Sequence, residues 1–268
     1  MNFKILLILL PTFSSAKSKM DAFIVGGREV SIDLWPFIAF IESTNSRMMV
    51  AVCGGSLLSS QTVLTAAHCL DDITDNKREM DDYHFTIYMG HSAYHKASIA
   101  RRVKDYETPP QYDPDNEDVV ADIGVMFLHF PVKFLPNVKK VILFDRRFRL
   151  RRDRLMVVAG WGKTAPGEKS STSLILKAVR MVAISAKACK RQIPFIDVNL
   201  VVCTAPSAEY AYSGDSGGPL VKRASHYQIG IVSFRHEDSG VTVFTSVPEY
   251  YDWINETQFT LYKTHCKK

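Results

Sequence analysis

Three short segments of this chain carry side chains that together could cleave an acyl bond. Hydrolysis by a serine hydroxyl needs a base beside the hydroxyl, a group that fixes the base's tautomer, and donors for the developing oxyanion. Leu64-Thr65-Ala66-Ala67-His68-Cys69 places a histidine just after a small-residue strand end, next to a cysteine. Val119-Val120-Ala121-Asp122-Ile123-Gly124-Val125 holds a lone carboxylate inside an apolar run. Burying such a group without a mate is costly, so a charged or hydrogen-bonding partner for Asp122 is implied. Gly214-Asp215-Ser216-Gly217-Gly218-Pro219-Leu220 is a glycine-dense turn around a serine. A turn of that kind lets successive backbone N–H groups converge on one point. Each segment alone has a structural reading, as a core histidine, a capping aspartate and an ordinary turn. Together, in the order His68, Asp122, Ser216, they are specific for nucleophilic catalysis.

The elements that must position these residues are short strands. Phe37–Ile41, Met49–Val52, Phe85–Met89, Val125–Leu128, Leu155–Ala159, Leu174–Leu176, Gln228–Val232 and Val241–Phe244 are apolar or alternating runs of strand length. Gly, Pro, Asp and Asn clusters punctuate them. A helical period is sustained only from Val247 to Phe259, with Tyr250, Trp253 and Ile254 on one face. Many short strands and one terminal helix predict an all-β barrel or sandwich.

At 268 residues and 46% hydrophobic composition, the chain can fill a sizeable core, and 23% charged residues argue against disorder. Lys4 precedes the apolar run Ile5–Leu10, followed by the small residues Ser14-Ser15-Ala16. That run is too short to span a membrane and reads as a secretory signal peptide over residues 1–16, which predicts an extracellular protein. Export makes the five cysteines legible: four pair and one is left over. Joining sequence neighbours, Cys53 with Cys69 and Cys189 with Cys203, closes two short loops, each worth roughly 3 kcal/mol in chain-entropy terms. Cys266 is then free, capped or intermolecular. The net charge of +5 is unevenly spread. Arg146, Arg147, Arg149, Arg151, Arg152 and Arg154 fall within nine residues, and Asp113, Asp115, Glu117 and Asp118 lie upstream. Such a basic cluster is a solvated loop or a contact for anionic glycans or membranes.

With the three segments in this order, the sequence resembles the chymotrypsin and trypsin family of serine proteases. The likeness runs from Ile24 to about Phe259 and includes Ile24-Val25-Gly26-Gly27, Thr65–Cys69, Asp122, Gly160-Trp161-Gly162, Gly214–Pro219 and Trp253-Ile254. The resemblance implies two six-stranded antiparallel β-barrels, a C-terminal helix and an active site in the cleft between the barrels. It implies Ser216 as nucleophile, His68 as general base, Asp122 as its orienter, and the N–H groups of Gly214 and Ser216 as the oxyanion hole. It also implies a zymogen. Cleavage before Ile24 would free an α-amino group that pairs with Asp215, a buried ion pair that acts as a switch. Residues 17–23 are then a propeptide and residues 24–268 the peptidase domain.

Four departures bear on specificity. Phe23 precedes Ile24 where most relatives have Arg or Lys, so a chymotrypsin-like activating protease or stepwise trimming is expected. The pocket position six before the nucleophile is Tyr210 rather than an Asp, which argues against trypsin-like specificity. The wall segment Ser233-Phe234 is followed by Arg235, and the second wall residue is Thr242, with Gly240 as the other alignment. Bulky wall residues resemble the elastase-like branch of the family, in which only a small side chain enters, and Arg235 is larger still, enough to cover the pocket or to bind an acidic substrate group. Finally, Tyr212 replaces the family's cysteine before the oxyanion segment, and no partner cysteine follows Arg235, so a more mobile rim is expected.

No cofactor or metal is expected. His91–Ala100 has no carboxylate for a calcium loop, and His91 and His95 lack a third ligand in register. Asn255-Glu256-Thr257 is a glycosylation acceptor motif. The expected partners are a protein or peptide substrate and an activating protease, with no nucleic acid, and the chain is expected to be a monomer. The competing reading is a weak or inactive homologue that binds anionic partners through the arginine cluster. A general esterase or lipase fits poorly, since those carry the order Ser, Asp, His.

Overall fold

The computed structural model describes residues 25–44, 50–71, 84–114, 120–145, 147, 155–167, 171–222 and 227–266. The proposed signal peptide and propeptide, Ile24, and all of the arginine cluster except Arg147 lie outside these residues. Fourteen strands and three α-helices make up the described fold. Strands β2 (Ile38–Thr44), β3 (Val50–Leu57), β4 (Thr62–Thr65), β5 (His84–Met89), β6 (Ile99–Glu107) and β7 (Gly124–Leu128) close a barrel in the order β2-β3-β4-β7-β6-β5. Its interior obeys the two-residue period of a pleated strand. Ala39 and Ile41 point in with Phe85, Ile87, Met89, Met126 and Leu128. Their neighbours Ile38, Phe40, Val125 and Phe127 face outward into a second cluster. Both faces of these strands are therefore buried, which is why the sequence shows apolar runs here rather than clean alternation.

The second half is a sheet of eight strands. Its main path runs β1 (Arg28–Glu29), β10 (Lys177–Val182), β9 (Leu155–Gly160), β12 (Pro219–Lys222), β13 (Tyr227–His236), β14 (Val241–Ser246) and β11 (Val201–Thr204). The short β8 (Ile142–Leu143) pairs in parallel with β13. The Ala183–Thr204 bridge joins the ends of β10 and β11, with Ile184 N–H donating to Cys203 O at 2.9 Å and Ala205 N–H to Val182 O at 2.8 Å. Six strands thereby form a ring, as the family resemblance implied, and β1 and β8 are additions to it. Met156, Val158, Val179, Met181, Leu220, Ile229 and Phe244 fill this half.

The two halves meet at an aromatic and polar seam. Phe40 stacks on Tyr94 at 4.1 Å and meets Trp161 edge-on at 5.8 Å, while Trp161 Nε1 donates to Ser92 O. Ser56 Oγ donates to Gln228 Oε1 at 2.7 Å with both residues fully buried. The short helices α1 (His68–Asp71) and α2 (Ala186–Gln192) each carry one disulfide cysteine, Cys69 and Cys189, and α3 (Tyr251–His265) lies at the end of the described chain. Although α3 emerges from β14, it lies against β6 and β7 of the first barrel. Tyr262 packs edge-on against Phe127, its hydroxyl bonds Ser59, Gln258 reaches Thr62, and His265 bonds Asp105 at 2.6 Å. The helix is displaced about one turn towards the C-terminus from the expected span. Thr257 and Leu261, rather than Tyr250 and Trp253, complete its buried face with Ile254. Among the described residues no helix is long and apolar enough to cross a membrane.

Candidate active site

His68 opens α1 two residues beyond the end of β4, with the buried Ala66 and Ala67 between, so a first-barrel strand places its backbone. The disulfide Cys53–Cys69 ties the residue after it to β3. Asp122 lies two residues before β7, next to β4 in the barrel, and is fully buried. Its Oδ1 accepts from the His68 N–H at 3.0 Å, and its Oδ2 lies 2.9 Å from His68 Nδ1. Ser233 Oγ donates to the same Oδ2, and Thr245 Oγ1 donates to the Asp122 carbonyl at 2.7 Å. Burial alone would raise the Asp122 carboxyl. The imidazole charge and hydrogen bond, the Ser233 hydroxyl and the His68 N–H outweigh it and hold the group below the ordinary carboxylate range. The partner implied for this aspartate is therefore a set of groups drawn from both barrels. Ser233 was expected as a pocket wall, and its bond to Asp122 had no sequence signal.

Ala121, just before Asp122, adopts a left-handed backbone with φ of 59°. This is a strained conformation for alanine, and it aims the following carboxylate inward. The Ala121 N–H is directed at the hydroxyl of Tyr250, whose burial pushes its phenol up to about 12.

Ser216 occupies the junction of two turns. Asp215 N–H donates to Tyr212 O, Gly218 N–H to Asp215 O, and Gly217 N–H to Val232 O, all at 2.8–2.9 Å. By contrast, the N–H groups of Gly214 and Ser216 have no acceptor among the described residues. Gly214 and Gly217 have φ of +94° and +78°, a region that favours glycine. A Cβ at Gly217 would fall 2.2 Å from Thr65 Oγ1 and 2.5 Å from Gly54 O. The turn is thus built against the first barrel, where Gly54 N–H also donates to Ser216 O at 2.7 Å. Ser216 and His68 open onto one cavity of about 480 Å³, bordered by Cys53, Cys69, Gly214 and Lys163. The sulfurs of Cys53 and Cys69 and a ring nitrogen of His68 lie within 4.8 Å of one another. Joined as a disulfide, those sulfurs offer no thiolate to a metal.

Asp215 points away from this cavity and is fully buried beneath Gly160 and Gly162. Burial pushes its carboxyl up to about 7, against the opposing hydrogen bonds from the Tyr212 and Gly162 N–H groups. Val25, the residue after Ile24, is docked nearby: its carbonyl accepts from Tyr210 N–H at 3.1 Å. Tyr210, Arg235 and Thr242 come together on the second barrel. Arg235 and Thr242 are register partners on β13 and β14, and the Arg235 guanidinium stacks over the Tyr210 ring with Cζ 3.8 Å from its centroid. Gly240, the other alignment, borders the same guanidinium. Cys189 and Cys203 form the second disulfide, and Cys266 is free and exposed. Asn255 is exposed on α3.

The model of the family described as Trypsin matches residues 24–254. The chain belongs to the trypsin family. Mouse cathepsin G is 29% identical to it, over 94% of this chain and 91% of that protein. The proclotting enzyme of Tachypleus tridentatus is 28% identical over 92% of this chain and 69% of that protein. Serine protease 7 of Drosophila melanogaster is 28% identical over 87% of this chain, which spans 64% of that longer protein. Among solved structures, GrC superposes with a TM-score of 0.75 at 28% identity, covering 87% of this chain and 98% of that one. A scabies mite inactivated protease paralogue, at 22% identity and a TM-score of 0.72, shares the fold.

Proposed function

We propose that this member of the trypsin family is an active serine endopeptidase that is secreted as a zymogen. The observation that carries the reading is His68, bonded to the buried Asp122 and opening onto the same cavity as Ser216, beside two N–H groups with no acceptor among the described residues. In the proposed reaction, Ser216 Oγ attacks the substrate carbonyl carbon as its proton passes to the His68 ring nitrogen facing the cavity. The oxyanion accepts from the N–H groups of Gly214 and Ser216. Collapse breaks the peptide bond, the leaving amine takes the proton from His68, and water repeats the sequence to release the acid. Asp122 stays ionised throughout, stabilises the imidazolium and fixes its tautomer.

Activation is by cleavage between Phe23 and Ile24. The new α-amino group then lies one residue from the docked Val25 carbonyl, and Asp215 supplies the buried carboxylate for it to pair with. Signal peptide 1–16 and propeptide 17–23 precede that site, and the proposed substrates are proteins or peptides. A fluorophosphonate probe tests the reading. After cleavage at Ile24 the protein should be labelled on Ser216, and uncleaved protein should be labelled far more slowly. Failure to label the correctly cleaved chain would leave a binding protein on a protease fold. N-terminal sequencing of the exported protein checks the cleavage site.

A further inference from the structure

We propose that Arg235, held on the face of Tyr210 and carried on the strand that is bonded to the Ser216 turn, is a receptor for a carboxylate side chain, so that the enzyme cleaves after aspartate or glutamate. The proposal rests on the endopeptidase reading above and names the substrate class of that same site.

A guanidinium has five N–H donors in one plane. In this structure one face of that plane is covered by the Tyr210 ring at 3.8 Å, which fixes its orientation. One donor, Nη1, reaches the Thr242 hydroxyl at a long 3.4 Å. Among the described residues no carboxylate pairs with Arg235, although Glu209, Glu237 and Asp238 are close in sequence to the stack. A half-buried cation with most of its donors unspent favours an anionic partner, and a carboxylate takes two of those donors at once.

The surroundings place that partner beside the nucleophile. Val232 is bonded in both directions to the Ser216 turn, accepting from Gly217 and donating to Gly218. Arg235 lies three residues further along β13, beyond a register shift between Val232 and Phe234, so no more than about 10 Å of strand separates it from the turn that holds Ser216. The receptor is also rigid. Tyr210 N–H is bonded to Val25 O, Tyr210 meets Tyr212 edge-on at 5.8 Å, and Thr242 is register partner to Arg235. The same cation repels lysine and arginine side chains, and its volume leaves little room for aromatic ones.

The test uses the cleaved protein and matched peptides that carry Asp, Asn, Glu, Gln, Ala, Lys or Phe immediately before the scissile bond. The Asp or Glu peptide should exceed its amide counterpart in kcat/KM by about tenfold or more. Arg235→Gln should abolish that difference, and Arg235→Glu should shift preference to Lys. Equal cleavage of acid and amide peptides by the wild type would overturn the proposal. So would an Arg235→Gly variant that cleaves acid and amide peptides faster to the same degree, since Arg235 would then be a plug. Labelling of Ser216 by a fluorophosphonate separates the two readings. A labelled wild type without acid preference removes only the pocket assignment. Absence of label in both wild type and Arg235→Gly removes the peptidase reading and this one with it.

Discussion

The carboxylates of Asp122 and Asp215 are both fully buried, yet their environments drive them in opposite directions. Asp122 is surrounded by donors and stays ionised. Removing one of them, by Ser233→Ala, should lower kcat about tenfold with little change in KM, because a hydrogen bond to a charged group is lost while substrate contacts persist. Steady-state kinetics on the cleaved protein checks this. Ser216→Ala should lower turnover by a factor on the order of 10⁴ or more while leaving secretion and the unfolding midpoint unchanged. Among the described residues Asp215 has two backbone donors, and its carboxyl is pushed up to about 7 from the ordinary 3.8. The raised carboxyl binds its proton more tightly folded than unfolded. The uncut chain should therefore lose stability as pH rises from about 4 to about 7, by roughly 4 kcal/mol in all. A cation paired with Asp215 after cleavage should abolish most of that loss. Unfolding midpoints of cut and uncut protein across this range would test the expectation, and parallel curves would count against the pairing. At this scale residue type, order and flanking residues single out His68, Asp122 and Ser216 as candidates, and the structure bonds His68 to Asp122 and opens His68 and Ser216 onto one cavity. The Ser233 bond to Asp122 could not be named that way, because it joins positions 111 residues apart and a buried serine has no distinctive pattern.

Most strands with apolar runs could be located from the sequence, but the short and largely buried β11 and β12 were not, and neither was the solvent-facing β6. In β6 five of nine residues are charged, because one side of the strand is exposed: the inward Ile99 and Val103 alternate with Ala100, Arg102 and Lys104. The expected strand at Leu174–Leu176 instead lies wholly ahead of β10, with only an isolated bridge from Ile175 to Ala93, and Leu174 is largely exposed. The nucleophile turn follows a different rule, since close approach to β3 and β4 shapes it more than any local preference. Gly217→Ala should be destabilising by more than about 2 kcal/mol and should abolish activity. Its Cβ would meet the Gly54 carbonyl as well as a side chain, and backbone cannot step aside. Urea unfolding of the variant checks the size of the loss.

The molecule as a whole is two barrels tied by more than the chain between them. Helix α3 leaves the second and is fastened across the first through Ile254, Leu261, Tyr262 and His265. Ile254→Ala and Leu261→Ala should each cost about 2–4 kcal/mol. The unfolding curve should remain a single transition observed by probes in either barrel, and separate transitions would show that the tie is weaker than drawn. The seam also has a consequence for inheritance. Ser56 and Gln228 are hydrogen-bonded to each other in the buried interior between the barrels, 172 positions apart. Losing either alone strands a polar group, whereas losing both to apolar residues costs little. Among descendants of this gene, changes at 56 should travel with changes at 228, and an exchange of one barrel between relatives should succeed only when that couple is carried intact or replaced together.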